Sequence, residues 1–91
     1  MQINKKFWNN KKVLVTGHTG FKGSWLSVIL KHLGANIYGY ALNPIGKNNL
    51  FNLLKINKIL KKDIRNDITN LKILKSFIKK NKPEIIFHLA A

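Results

Sequence analysis

Three glycines at even spacing, Gly17-x-x-Gly20-x-x-Gly23, stand between the apolar run KVLVT (Lys12–Thr16) and a helical pattern that starts at Ser24. A dinucleotide site needs that order: a strand, a tight turn, and a helix whose first turn aims free N–H groups at a pyrophosphate. In such a cradle Gly17 makes the turn, Gly20 lets the backbone approach the phosphates without a Cβ, and Gly23 lets the helix pack against the strand. The plainer alternative is a glycine-rich turn with no ligand. Placement at the first strand-to-helix crossover of an alternating chain favours the cradle. His18, with no acid near it in sequence to orient it, reads as a loop histidine. Lys22 reads either as a charge near a phosphate or as a solvated lysine at a helix start. Trp25, by its size, is expected to pack the helix against a neighbour.

The elements around the glycines must position them. KVLVT is short and valine-rich, as a strand buried on both faces should be. Leu26, Ile29, Leu30 and Leu33 then fall at helical spacing, and Gly34 sits where a C′ glycine ends a helix. NIYGYAL (Asn36–Leu42) is a second strand, followed by loop chemistry in NPIGKNN (Asn43–Asn49). A helix is expected over roughly Leu50 to Leu60, with Phe51, Leu54, Ile59 and Leu60 inward. KDIRND (Lys62–Asp67) is weakly strand-like. Thr69 or Asn70 caps the next helix, whose apolar stripe is Leu71, Leu74, Phe77 and Ile78. Pro83 stops it, and EIIFHLAA opens a fourth strand that looks central by its apolarity. Strands alternating with helices imply parallel pairing through right-handed crossovers, hence a doubly wound α/β sheet. Four strands are few for that architecture, so the chain reads as the first part of a longer protein.

Composition removes several function classes. There is no cysteine in the 91 residues, so neither a disulfide framework nor a thiolate metal site is expected. No apolar run approaches the roughly eighteen residues that span a bilayer, and the N-terminus lacks the apolar core of a secretory signal. A cytoplasmic address without a membrane partner follows by default. Sixteen lysines and one arginine face three acids, Asp63, Asp67 and Glu84, for a net charge of +14. Such a balance could bind nucleic acid through phosphates. The lysines are scattered, however, and arginine, the bidentate reader of phosphate and guanine, is nearly absent. A biased surface is therefore the better reading, with no specific nucleic-acid partner.

Two residues between the first pair of glycines, where the usual dehydrogenase fingerprint has one, narrow the match. The stretch resembles the TGxxGFxG signature of the extended short-chain dehydrogenase/reductase superfamily, the NAD-dependent sugar epimerases and dehydratases. PEIIFHLAA (Pro83–Ala91) resembles that superfamily's fourth strand. Within it, KKVLVTGHTGFKGSWL followed by GYAL and LF is similar to the CDP-glucose 4,6-dehydratase branch. The resemblance implies an NAD(P)-binding Rossmann fold, of which residues 1–91 would be the N-terminal part, its first four strands forming an incomplete sheet. It implies NAD as cofactor, a nucleotide-sugar substrate, and a homo-oligomer at full length. The reaction it implies converts CDP-glucose to CDP-4-keto-6-deoxyglucose: hydride leaves the sugar C4 for NAD⁺, water is lost across C5 and C6, and hydride returns to C6.

Carried over residue by residue, the resemblance places Gly17, Gly20 and Gly23 in the cradle. It puts the backbone of Phe21 and Lys22 at the pyrophosphate, and Leu89, Ala90 and Ala91 against the cofactor. The adenine-binding acid has two candidates. Motif spelling favours Asp63, in DIR; spacing back from Pro83 and HLAA favours Asp67, which is chosen, with Ile68 beside the adenine. Asp63 then reads as an edge or solvent-facing acid. The second strand ends in Ala41, Leu42 and Asn43, with neither the carboxylate that holds ribose hydroxyls nor an arginine for a 2′-phosphate. NAD over NADP thus rests on the resemblance alone. The superfamily's Tyr-x-x-x-Lys pair has no match, since Tyr38 and Tyr40 lie on the second strand without a lysine four residues on. No general acid–base set is visible in residues 1–91, so catalysis is expected to reside outside them. Three rivals are another epimerase or dehydratase of the same fold, a non-catalytic NAD(P)-binding regulator, and a basic nucleic-acid binder.

Overall fold

The computed structural model describes residues 5–46 and 48–90. A short helix α1 (Lys5–Trp8) leads into strand β1 (Lys12–Thr16) and helix α2 (Phe21–His32). Strand β2 (Asn36–Ala41), the single-turn helix α3 (Leu50–Leu53) and a 3₁₀ turn (Ile56–Lys58) follow. Strand β3 (Lys62–Arg65), helix α4 (Leu71–Asn81) and strand β4 (Ile85–His88) complete the order. The four strands make one parallel sheet in the order β3-β2-β1-β4. The chain thus steps outward from β1 through β2 to β3, then crosses back to the other side of β1. That reversal between β1 and β4 is the switch point of a doubly wound sheet, where ligands bind beyond the carboxyl ends of the strands.

Helix ends follow the local chemistry. Gly34, at φ +87, takes the left-handed C′ position after α2. Asn49 caps α3 by accepting from the Asn52 N–H at 2.8 Å, and Asn70 caps α4 through the Ile73 N–H at 3.4 Å. Thr69 is no cap; its hydroxyl is bonded to Asp67. The helix expected over Leu50–Leu60 is broken, because Lys55 adopts φ 51 between α3 and the 3₁₀ turn. Phe51 and Ile56 are inward there, whereas Leu54 is exposed.

Strand alternation gives the sheet two cores. Val13, Val15 and Ile37 meet Leu30 of α2 and Ala35 on one face, with Trp8, Ile85 and Phe87 alongside. Leu14 and Tyr40 meet Phe77 of α4 on the other. The expected apolar stripe of α2 holds at Leu30 and Leu33, which are buried, and at Leu26, which packs against the same core, but not at Ile29, which is exposed; Gly23, Ser24 and Ser27 share the buried face, and Trp25 is 45% exposed. Small residues on that face let the helix axis approach the sheet. Its hydroxyls are satisfied locally, Ser24 Oγ on the His18 carbonyl at 3.0 Å and Ser27 Oγ on the Gly23 carbonyl at 2.7 Å. In α4 only Phe77 of the expected stripe is fully buried, and Leu71 is 59% exposed. β4 is an edge strand among the described residues, paired to β1 alone, and Ile86 is 48% exposed.

Candidate functional site

The glycine cradle sits at the switch point and is closed by backbone. Gly17 has φ +83, a conformation that a side chain disfavours. A Cβ on it would also stand 2.8 Å from the Ala90 nitrogen and 2.9 Å from the Leu89 carbonyl carbon. A Cβ on Gly23 would drive into the Gly17 carbonyl and lie 2.7 Å from His18 Cα. Gly20 differs: the nearest atom to its imagined Cβ is the Gly17 carbonyl oxygen at an ordinary 3.5 Å. Packing inside the protein therefore explains Gly17 and Gly23. Gly20, the N-cap of α2 in extended conformation, borders open space at a helix start, where the first N–H groups lack intrahelical partners.

That space is a cavity of about 750 Å³. Of the sequence-derived candidates, Gly17, Gly20, Phe21, Asp67, Ile68, Leu89 and Ala90 line it. Gly23 lies behind the cradle and acts on its shape. Lys22 is exposed on the first turn of α2 and does not line the cavity. Ala91 lies outside the described residues. Between the two acids the geometry is clear: Asp67 is at the cavity and Asp63 is not. Asp67 Oδ1 accepts from the Thr69 backbone N–H at 2.9 Å and from the Thr69 hydroxyl at 2.8 Å. Those bonds, the backbone one foremost, hold its carboxyl below the usual carboxylate value, so the group is ionised near neutrality.

Sequence reasoning missed a buried ionic cluster beneath the cradle. His18 lies in the loop after β1, as expected, but it is 0% exposed and does have an orienting acid: its Nε2 lies 2.7 Å from Asp63 Oδ1, 45 residues on. Asp63 sits on β3, an edge strand among the described residues, but it does not face solvent, at 22% side-chain exposure. It also receives Arg65 as a fork, Nε on Oδ1 and Nη2 on Oδ2, each at 2.9 Å. Burial works to raise the Asp63 carboxyl, but the bonds and charges of Arg65 and His18 outweigh it and hold the group below its ordinary value. An ionised Asp63 only accepts, so the hydrogen is on His18 Nε2, and the buried Nδ1, which has no partner, is the lone-pair nitrogen. Burial, against the pull of Asp63, keeps the His18 pKa below its ordinary value. The one sequence signal for this cluster is Gly39 inside an apolar strand, a mark of close approach. A Cβ there would sit 2.6 Å from His18 ring atoms.

The end of β2 carries neither an acid nor an arginine, as its sequence reads, and Arg65 of β3 reaches it. Asn43 lines the cavity, and its Oδ1 accepts from Arg65 Nη1 at 3.1 Å. On the other side, Thr16 Oγ1 meets His88 Nδ1 at 2.7 Å, tying the ends of β1 and β4 together.

The profile of the NAD dependent epimerase/dehydratase family matches residues 13–91, from β1 through the cavity lining. The chain belongs to that family. A CDP-glucose 4,6-dehydratase of Salmonella typhimurium is 47% identical over 89 residues, which cover 98% of this chain and 24% of that protein. The chain therefore spans about a quarter of the length of the curated relative it matches. A solved structure described as an epimerase, from Burkholderia cenocepacia, superposes with a TM-score of 0.67 at 21% identity, covering 91% of this chain and 26% of that one. At that identity the likeness concerns the fold alone. Family membership implies a nicotinamide cofactor, and the cradle fits one: backbone closes it from behind, while the position facing the cavity is left without a Cβ. Among the described residues no group of three His, Cys, Asp or Glu could hold a metal, and no helix is long and apolar enough to cross a membrane.

Proposed function

We propose that residues 1–91 hold the adenosine diphosphate half of NAD in a nucleotide-sugar 4,6-dehydratase acting on CDP-glucose. The observation that carries this reading is the cradle itself, Gly17, Gly20 and Gly23 at the sheet's switch point, opening on a cavity that Asp67 and Ile68 also line. The N–H groups at the start of α2, around Phe21 and Lys22, would bind the pyrophosphate, aided by the positive end of that helix. Asp67, ionised and fixed by Thr69, would accept from the adenine amino group, with Ile68 against the ring and Leu89 and Ala90 forming the opposite wall. When bound, the dinucleotide supplies a hydride acceptor and donor, which lets one sugar carbon be oxidised and another reduced around the loss of water. The chain's own part is to bind and orient it. The Tyr-x-x-x-Lys pair, the sugar site and the contacts of a homo-oligomer belong to the rest of the protein on this reading. The 47% identity to the Salmonella dehydratase supports CDP-glucose as substrate.

Titration of the purified protein with NAD⁺ by isothermal calorimetry tests the binding role. Saturable binding is expected, weakened about tenfold or more by Asp67→Ala, since a hydrogen bond to a charged group contributes about 1.5–3 kcal/mol. A folded protein that ignores NAD⁺ at millimolar concentration overturns the reading. The 91 residues alone should not release water from CDP-glucose; product formed by them would overturn the placement of catalysis elsewhere.

A further inference from the structure

A dinucleotide site makes no use of most of the chain's basic charge, and α4 concentrates that charge. Lys72, Lys75, Lys79 and Lys82 recur at i, i+3, i+7 and i+10, a spacing that keeps them on one helical stripe about 15 Å long, with Lys80 beside it. All of these lysines are exposed. The helix carries no acid, and none of its lysines forms an ion pair among the described residues. The chain's acids are engaged elsewhere: Asp63 with Arg65 and His18, Asp67 with Thr69, and Glu84 with Lys11 at 3.3 Å. The positive field of this face is therefore uncompensated.

What the face can bind follows from what surrounds the lysines. The opposite side of α4 is committed to the sheet: Phe77 is buried with Leu14 and Tyr40, and Leu74 and Ile78 pack alongside. The helix thus presents its lysines without freedom to turn over or to insert. At its first turn Leu71 and Ile73, 59% and 40% exposed, flank the stripe on either side. Long alkyl stems ending in ammonium groups, beside exposed aliphatic residues, suit the boundary between charged headgroups and acyl chains. Nucleic acid is met on other terms, by arginine forks and by aromatic rings on which bases stack. The chain's one arginine is engaged on Asp63, and Phe77, the aromatic residue of α4, is buried. No helix among the described residues is long and apolar enough to cross a membrane, but a helix that lies flat on one needs no span.

We propose that the lysine face of α4 docks the protein on an anionic lipid surface, held by charge, with Leu71 and Ile73 at the headgroup level. Each lysine near such a surface raises the affinity about fivefold. The attraction fades with salt, because the screening length falls from about 10 Å at 0.1 M to about 3 Å at 1 M. No residue of α4 lines the cavity, so docking and dinucleotide binding are independent and fail independently.

Cosedimentation of the purified protein with vesicles tests it, one set of pure phosphatidylcholine and the other of equal parts phosphatidylcholine and phosphatidylglycerol. At about 0.1 M salt, binding to the anionic set alone is expected, with release at about 1 M. The triple variant Lys72→Gln, Lys75→Gln, Lys79→Gln should bind about a hundredfold more weakly. A control with the same net charge, Lys31→Gln, Lys55→Gln, Lys58→Gln, removes exposed lysines outside α4 and should lose no more than about fivefold. Circular dichroism confirms that both variants are folded, and their calorimetric response to NAD⁺ should match that of the unaltered protein. Equal losses in the two variants would assign binding to net charge and overturn the docking face. No binding to the anionic vesicles, or equal binding to both sets, overturns it as well. A duplex oligonucleotide bound more tightly than the anionic vesicles, at the same salt and phosphate concentration and through the same three lysines, overturns it in favour of nucleic acid.

Discussion

The two faces of the sheet are built on opposite terms. On the α2 face, beside the apolar core of Val13, Val15, Ile37 and Leu30, the tightest contacts are made by glycine backbone: Gly23 against Gly17, Gly17 against Leu89 and Ala90, and Gly39 against the His18 ring. On the α4 face, contacts run between large side chains, Leu14, Tyr40 and Phe77, with Leu71 and Ile86 largely open to water. Side chains repack around a change of shape, whereas peptide groups cannot retreat without moving an element. The first face holds atoms to a tolerance that a phosphate cradle requires. The second rests on side-chain packing and tolerates variation.

Substitutions that break this contrast can be ordered by size. Gly23→Ala should be the most damaging, costing about 3 kcal/mol or more and abolishing NAD⁺ binding, because the added methyl meets the Gly17 carbonyl. Thermal unfolding followed by circular dichroism, with calorimetry on any folded fraction, measures both effects. Phe77→Ala should cost about 3 kcal/mol, since the ring is buried between Tyr38 and Tyr40. Binding per folded molecule should stay unchanged there; a matching loss would mean the faces are coupled.

Asp63→Asn should cost about 1–2 kcal/mol in urea unfolding, as it weakens the fork to Arg65 and the partner of His18. The histidine adds a pH signature. Its folded pKa lies below its ordinary value, so in acid the unfolded chain binds the proton first. Its contribution is therefore complete above about pH 6.5 and declines as the pH falls from there towards the folded pKa. His18→Gln should flatten that slope; an unchanged slope would assign it to another group. Leu71→Ser, on the open face, should change stability by no more than about 0.5 kcal/mol, and a large loss would show that α4 is more tightly held than its exposure implies.

The same contrast decides what could be read from the sequence. The cradle was legible because its signal is local: strand, three glycines and helix lie within twelve residues, Lys12–Gly23. Gly34 and Asn70 were legible as helix ends for that reason, and the alternation of periods was enough for the parallel doubly wound sheet. The buried face of α2 was legible at Leu26, Leu30 and Leu33 but not at Gly23, Ser24 and Ser27, small or polar residues that the rule of apolar burial passes over. The partnership of His18 with Asp63 was hidden for a different reason. It depends on β2–β3 register, which sets Gly39 beside Asp63 and leaves the space that the imidazole enters. Arg65 at the end of β2 follows from that register as well, through the pairing of Ala41 with Arg65. Cross-strand register joins residues that no spacing rule connects.

Gly39 and His18 occupy the volume of a single side chain between them, one giving up its Cβ and the other reaching across from a neighbouring loop. The two positions therefore behave as one heritable unit. A larger residue at 39 can enter only alongside a smaller one at 18, and the paired exchange should cost far less than the sum of its halves. Drift at this site is confined to a corridor: the strand residue cannot gain a side chain independently of the loop residue 21 positions before it.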